Sequence, residues 1–146
     1  MSAAVSPTLE HARYAPANEL VDSIVVAGII RSVYRTPKGQ QLAFGAIRMW
    51  VSEFRHAPLW AKPQIIEQEP PDVDPVWDAV LAGTAEYLAL GDAIAVPPWA
   101  MQPGRFLDHA WFPVNLASVR TMALRDADIS MKARGVFVHA ESLESV

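Results

Sequence analysis

The chain has 146 residues, the size of one domain built around one core. Hydrophobic residues make up 51% and charged residues 19%, which argues against wholesale disorder. Sixteen acids against twelve bases, a formal charge of -4, argue against a generally basic nucleic-acid binder. The absence of cysteine removes disulfide frameworks, thiolate zinc sites, iron–sulfur clusters and cysteine nucleophiles together. No apolar run approaches the roughly 18 residues of a membrane span. Met1 to Pro7 show neither the basic nor the apolar region of a secretion signal, so a soluble cytoplasmic protein is expected.

In chain order, residues 1–17 lack a clear period and read as a flexible arm. Asn18 can cap a following helix, with Glu19 and Asp22 suited to its positive end. Leu20, Ile24, Ala27, Ile30 and Tyr34 follow helical spacing, although the β-branched run Ile24 to Ile30 keeps a strand in competition. Length favours the helix, because the pattern extends to Arg35. Thr36-Pro37-Lys38-Gly39 is a turn. Gln40 to Phe54 reads as a second helix, with Leu42, Phe44, Ile47, Trp50, Val51 and Phe54 placed nearly all round it. Ile65-Ile66 adds one more turn.

Glu69-Pro70-Pro71-Asp72-Val73-Asp74-Pro75 sustains neither helix nor central strand, and divides the chain into halves 18–69 and 70–146. The first 69 residues hold seven bases and six acids, the remainder five bases and ten acids. Each half is small for a core of its own, so the two are expected to pack as one unit. Asp74-Pro75 is the clearest helix start, with Asp78 in the first turn. Val76, Val80, Leu81, Ala85, Leu88 and Ala89 then form an apolar face up to a stop at Gly91. Ile94 to Val114 is irregular, with Pro97, Pro98, Pro103 and Pro113. Helices are expected from Asn115, as its cap, to about Arg125 and from Asp128 to Arg134, ending at Gly135. Val136 to Val138 is a short extended piece, and Glu141 to Glu144 a final turn. The fold class is mostly α: a small helical domain with a proline- and aromatic-rich irregular segment and little or no sheet.

The chemistry-bearing residues are sparse. His11, His56, His109 and His139 stand far apart, and no carboxylate cluster has metal spacing, so no metal or cofactor is expected. Asp108-His109 is the most suggestive polar pair, either an acid orienting a general base or a loop cap beside a solvated histidine. There is no phosphate-binding glycine loop and no serine elbow, so no catalysis is expected. Arg31, Arg35 and Lys38 share a helix end and keep a dimeric DNA-binding regulator as an alternative. The following helix, however, offers Leu42, Phe44, Ile47, Met49 and Trp50 where a recognition helix needs polar side chains. A structural subunit of a larger assembly is a further alternative.

Pro97 to Pro113 is the most informative segment. An irregular connection of roughly twenty residues inside a compact domain usually has a reason, and binding is a common one. Aromatic and arginine side chains dominate interface hot spots. Trp99, Arg105, Phe106, Asp108, Trp111 and Phe112 are therefore the expected partner-binding residues, with burial against the helices as the competing role.

Asp74 to Val146 resembles the C-terminal region of bacterial antitoxin-like regulators encoded beside nucleotidyltransferase-like toxins. The likeness is carried by Trp77-Asp78, Ala85-Glu86-Tyr87-Leu88-Ala89, Val96 to Trp99, Arg105 to Asp108, Trp111-Phe112-Pro113, Ala133 to Val138 and Leu143-Glu144. Full-length members often carry an N-terminal helix-turn-helix, which this chain lacks in recognisable form. The resemblance implies a protein that holds a partner, a nucleotidyltransferase-like toxin being the candidate, without catalysis of its own. An oligomer is also expected, since apolar residues exceed what a small helical core encloses.

Overall fold

The computed structural model describes residues 20–144, so the expected arm and the Asn18 cap lie outside the described residues. Within them the protein is mostly helical, as the pattern predicts: α1 (Ser23–Val33), α2 (Gly39–His56), α3 (Lys62–Ile66), α4 (Pro75–Gly91), α5 (Ala117–Asp126) and α6 (Ile129–Ala133), with four short 3-10 turns. Among the described residues there is no strand. Extended pairing is limited to an isolated parallel bridge between Trp111 and Val136.

Helix α1 starts later than the spacing suggests because Asp22 takes the cap, its Oδ1 accepting the Val25 N–H at 2.9 Å. Its β-branched run is helical throughout, burying Val26, Ala27 and Ile30 and leaving Ile24 and Val25 near the surface. The turn into α2 depends on Gly39, where a Cβ would collide with the Tyr34 carbonyl oxygen and lie 2.5 Å from that of Val33.

Two helices exchange the roles their patterns suggest. Helix α2 is not buried all round: Ala43, Ala46, Ile47, Trp50, Val51 and Phe54 form one inward stripe, while Leu42 and Met49 face solvent. The fully enclosed helix is α4, where every residue from Trp77 to Ala85 is buried. Ala79, Ala82, Gly83 and Ala85 let neighbours approach it from several sides, so an apparently one-faced helix becomes the axis of the core. Its start is as expected, with Asp74 Oδ2 accepting from the Val76 N–H at 3.1 Å and Pro75 in the first turn.

The proline-rich connector is fastened along its length. The last carbonyls of α3 lack helical partners, and two buried indoles supply donors: Trp50 Nε1 to Ile65 O and Trp99 Nε1 to Ile66 O, both at 2.9 Å. Ser23 Oγ donates to Gln68 O at 2.5 Å, Arg105 Nη2 to Pro70 O at 2.9 Å, and Arg31 to Asp72 O. The Asp78 carboxylate accepts from Val73 N (2.8 Å) and Asp74 N (3.4 Å); burial raises its pKa, and these N–H bonds act against that rise. Prolines leave this segment without ladder or helix partners, so side chains from α1, α4 and the 102–105 turns take up its polar groups.

At one end, the final 3-10 turn is held by charge. Arg55 Nη2 pairs with Glu144 Oε2 at 2.7 Å and Arg55 Nη1 with Asp92 Oδ1 at 3.5 Å, while Lys62 Nζ reaches Asp92 Oδ2 at 2.5 Å. The Tyr87 hydroxyl donates to Glu144 Oε2 at 2.5 Å. Burial, followed by that bond to Glu144, pushes the Tyr87 phenol from its ordinary value near 10 up to about 12. Because the folded state holds this proton more tightly, the contribution is fully present below pH 10 and lost as pH rises toward about 12. Denaturant melts across this window should show stability falling, and Tyr87→Phe should flatten the fall; an equal slope in both proteins would refute the assignment.

Candidate functional site

The segment expected to bind a partner runs from the Pro98–Met101 turn to Pro113. Trp99 is 3% exposed, with its indole N–H spent on Ile66 O. Arg105 is 2% exposed, its guanidinium 5.0 Å from the Trp99 ring centroid and its Nη1 3.7 Å from Asp78 Oδ1. These two residues are therefore a correction: they anchor the segment inward and present no contact surface. The physical reason is the connector, whose unpaired carbonyls at Ile66 and Pro70 draw both donors into the core.

A second buried arginine, which sequence reasoning did not single out, completes this anchoring. Arg134 is 0% exposed; Nη1 meets Glu86 Oε1 at 2.6 Å and Ser130 O at 2.9 Å, and Nη2 meets Ala100 O at 2.8 Å. Its guanidinium lies 4.6 Å from the half-buried Phe106 ring. Position four residues after Ser130 was the available signal, since it aims a long donor back along α6.

Trp111 and Phe112 are half-buried. Trp111 stacks on Phe44 (centroids 6.3 Å apart, 10°) and meets Trp77 edge-on at 5.8 Å. Its backbone N–H donates to Gly135 O at 2.7 Å and its carbonyl accepts from Phe137 N at 3.0 Å. Gly135 has φ 84, and a Cβ there would meet Leu107 Cβ at 3.1 Å and His109 O at 3.2 Å, so glycine permits this pairing. Phe112 stacks on Phe137 at 4.7 Å, with Arg120 over its ring. Asp108 alone of the six projects fully into solvent.

Asp108 Oδ1 does meet His109 Nδ1, at 2.6 Å, but both side chains are exposed. His139 is half-buried and lines a cleft described below. Among the described residues no group of three or more acids and histidines is placed to hold a metal. No described helix is long and apolar enough to cross a membrane. Of the basic end, Arg31 is tied to the connector carbonyl of Asp72, Arg35 lies 5.2 Å from the Tyr34 ring and Lys38 is exposed.

Exposed apolar side chains follow the expected segment, and others stand at Leu42, Met49, Leu59, Trp60 and Leu90. Leu116 (62% exposed), Leu124 (54%), Val114, Met122 and Ile129 all face solvent, and Ala123 is the sole buried residue of α5. The sequence signalled this in part: Val119 and Ala123 share a face at i, i+4 and Leu124 falls off it, but Met122, at i+3 from Val119, is left in solvent by the tertiary packing alone. Helix α5 has Leu116 at its cap position and no side-chain cap bond, so Asn115 does not play the role its residue type suggests. No family model, curated protein or solved structure matches this chain.

Proposed function

We propose that this chain is a cytoplasmic, non-catalytic protein-binding module of antitoxin type, which neutralises or regulates a partner toxin by stoichiometric contact. The observation that supports this reading is the exposure of Met122 and Leu124 on α5, a helix that buries only Ala123, and of Val114, Leu116 and Ile129 in the chain on either side of it. Exposed apolar side chains mark contact surfaces where they are contiguous. Residues 70–146, which contain it, hold ten acids against five bases, suiting a basic partner such as a nucleotidyltransferase-like toxin. The resemblance of Asp74 to Val146 to antitoxin-like regulators points to the same class of partner. Of the expected residues, Phe112 touches α5 through Arg120 and Asp108 is exposed, whereas Trp99 and Arg105 are buried.

Titration of the purified chain into the neighbouring toxin should give a stoichiometric complex and loss of toxin activity. Leu116→Glu combined with Leu124→Glu should weaken that complex by about 2 kcal/mol or more, roughly thirtyfold, with an unchanged circular dichroism spectrum. Parental affinity in the double variant, or no complex at all, would remove the proposal. Salt-sensitive DNA retardation dependent on Arg31, Arg35 and Lys38 would instead favour a DNA-binding regulator. Self-association through the same residues would favour a structural or oligomeric role.

A further inference from the structure

Among the helices of ten residues or more, α5 is the most lightly held. It buries only Ala123, whereas α6, half its length, buries Ser130 and Met131. Its N-terminus has no side-chain cap and no acid in the first turn, so its first N–H groups are left to water. Among the described residues its polar ties to other elements lie toward the surface: Arg120 stands 4.9 Å from the Phe112 ring, Lys132 Nζ lies 3.4 Å from Arg125 O, and Asp126 is drawn toward His139 and Lys132. Exposed contacts of this kind contribute little each. Beside the Val119 and Ala123 face, a cleft of about 340 Å³ separates α5 from Gln40, Gln41, Phe44 and Arg48 on α2 and from Phe137 and Val138. The chain on either side of α5 is fastened. Pro113 O accepts from Gln40 Nε2 at 3.2 Å, and Trp111 pairs with Gly135 and Phe137. The Asp128 N–H donates to Val138 O at 2.9 Å, while its carboxylate caps α6, whose Met131 is fully buried.

We propose that α5 is a strap that lifts off the α2 face and melts as one unit, uncovering Phe44, Phe137 and Val138, while the chain at Trp111 and Asp128 stays fastened. Lifting gives up the packing of Val119 and Ala123 and little else, so it needs only a small part of the free energy that unfolds the core. A detached helix of ten residues is shorter than the roughly 12–15 that hold in water, so detachment and melting occur together. The breaks lie immediately outside the helix, where Leu116 (φ -106, ψ 139) and Ala127 (φ -62, ψ 148) are already extended. The enclosed α4, buried at every residue from Trp77 to Ala85, has no such freedom. The strap is a property of the isolated chain and stands whether or not the antitoxin reading holds.

Native-state hydrogen exchange of the purified full chain reads the strap. The amides of residues 121–126 should exchange through one common opening, at least about a hundredfold less protected than the Phe137 and Asp128 amides, which are bonded to Trp111 O and Val138 O. Val119→Thr keeps the helix propensity and sets a hydroxyl against the cleft, so it should speed α5 exchange about tenfold and leave Phe137 unchanged. The reverse swap on the exposed side, Thr121→Val, should change α5 exchange by less than about threefold. The chain has no cysteine, so a single thiol can report the uncovered wall. Val138→Cys should be alkylated by iodoacetamide at least about a hundredfold faster than Ala46→Cys, which lies on the inward stripe of α2 and opens only with the core. Adding Val119→Thr should speed the Val138→Cys reaction by the same factor as the α5 amides. Protection in α5 equal to that of Phe137 and Asp128, Val138→Cys labelling no faster than Ala46→Cys, or equal responses to the two swaps would overturn the proposal. If a cysteine variant fails to fold, the exchange of Val119→Thr against Thr121→Val still decides the question.

Discussion

Replacement of Arg134 by methionine should destabilise the protein by about 3–5 kcal/mol, lowering the melting temperature by on the order of 10 °C. The guanidinium joins α4, through Glu86, to α6, through Ser130, and to the proline and aromatic segment, through Ala100. Methionine fills much of the volume but provides no donor. The Glu86 carboxylate and two carbonyls then lose partners in a region where water does not reach Arg134. The double variant Arg134→Met with Glu86→Leu should recover part of the loss, because no charge is left stranded. Recovery remains incomplete, since Ala100 and Ser130 carbonyls are still unpaired. Thermal denaturation of the two single variants and the double variant measures this directly. A loss below about 1 kcal/mol for Arg134→Met would show that the arginine is not the clamp its contacts describe.

Trp99→Ala should cost about 3–5 kcal/mol of stability, the range for emptying a large buried ring site. Three contributions combine: the cavity, the lost donor to Ile66 O and the lost ring beneath Arg105. Trp99→Phe separates them. It keeps much of the ring and removes the N–H, so it should cost about 1–3 kcal/mol. The comparison also decides the residue's role. Equilibrium unfolding in denaturant should show both losses, and the folded fraction of Trp99→Phe should retain the contact surface around Leu116 and Leu124 intact. A Trp99→Ala protein that unfolds like the parent would return Trp99 to the interface and contradict its 3% exposure.

Arg134, through Ala100, holds the segment containing Trp99, the one whose role was least settled by sequence. Its composition correctly marks Pro97 to Pro113 as important, but tryptophan and arginine serve a hot spot and a buried anchor equally well. What turned Trp99 and Arg105 inward is some thirty residues away in sequence: carbonyls at Ile66 and Pro70 in a stretch where prolines allow no regular pairing. No local pattern encodes that demand. The apolar residues of α5 illustrate the converse. Their spacing is visible in the sequence, yet only the narrow contact through Val119 and Ala123 shows that Leu116, Met122 and Leu124 are left in solvent.

The sequence by itself determined the helical class, the turn at Thr36 to Gly39, the start of α4 at Asp74-Pro75, its end at Gly91 and a short helix from Asp128. These are local matters, settled by capping atoms, ring constraints and helical period within a few residues. The tertiary structure alone decided that α4 is the enclosed axis while α2 keeps an exposed side, that two arginines are buried, and that a cleft separates α2 from α5. Those outcomes depend on which helix has small enough side chains to be approached from several directions, and on where distant carbonyls need donors. Both are properties of the assembled core, because packing and polar pairing are satisfied between elements that the linear order leaves apart.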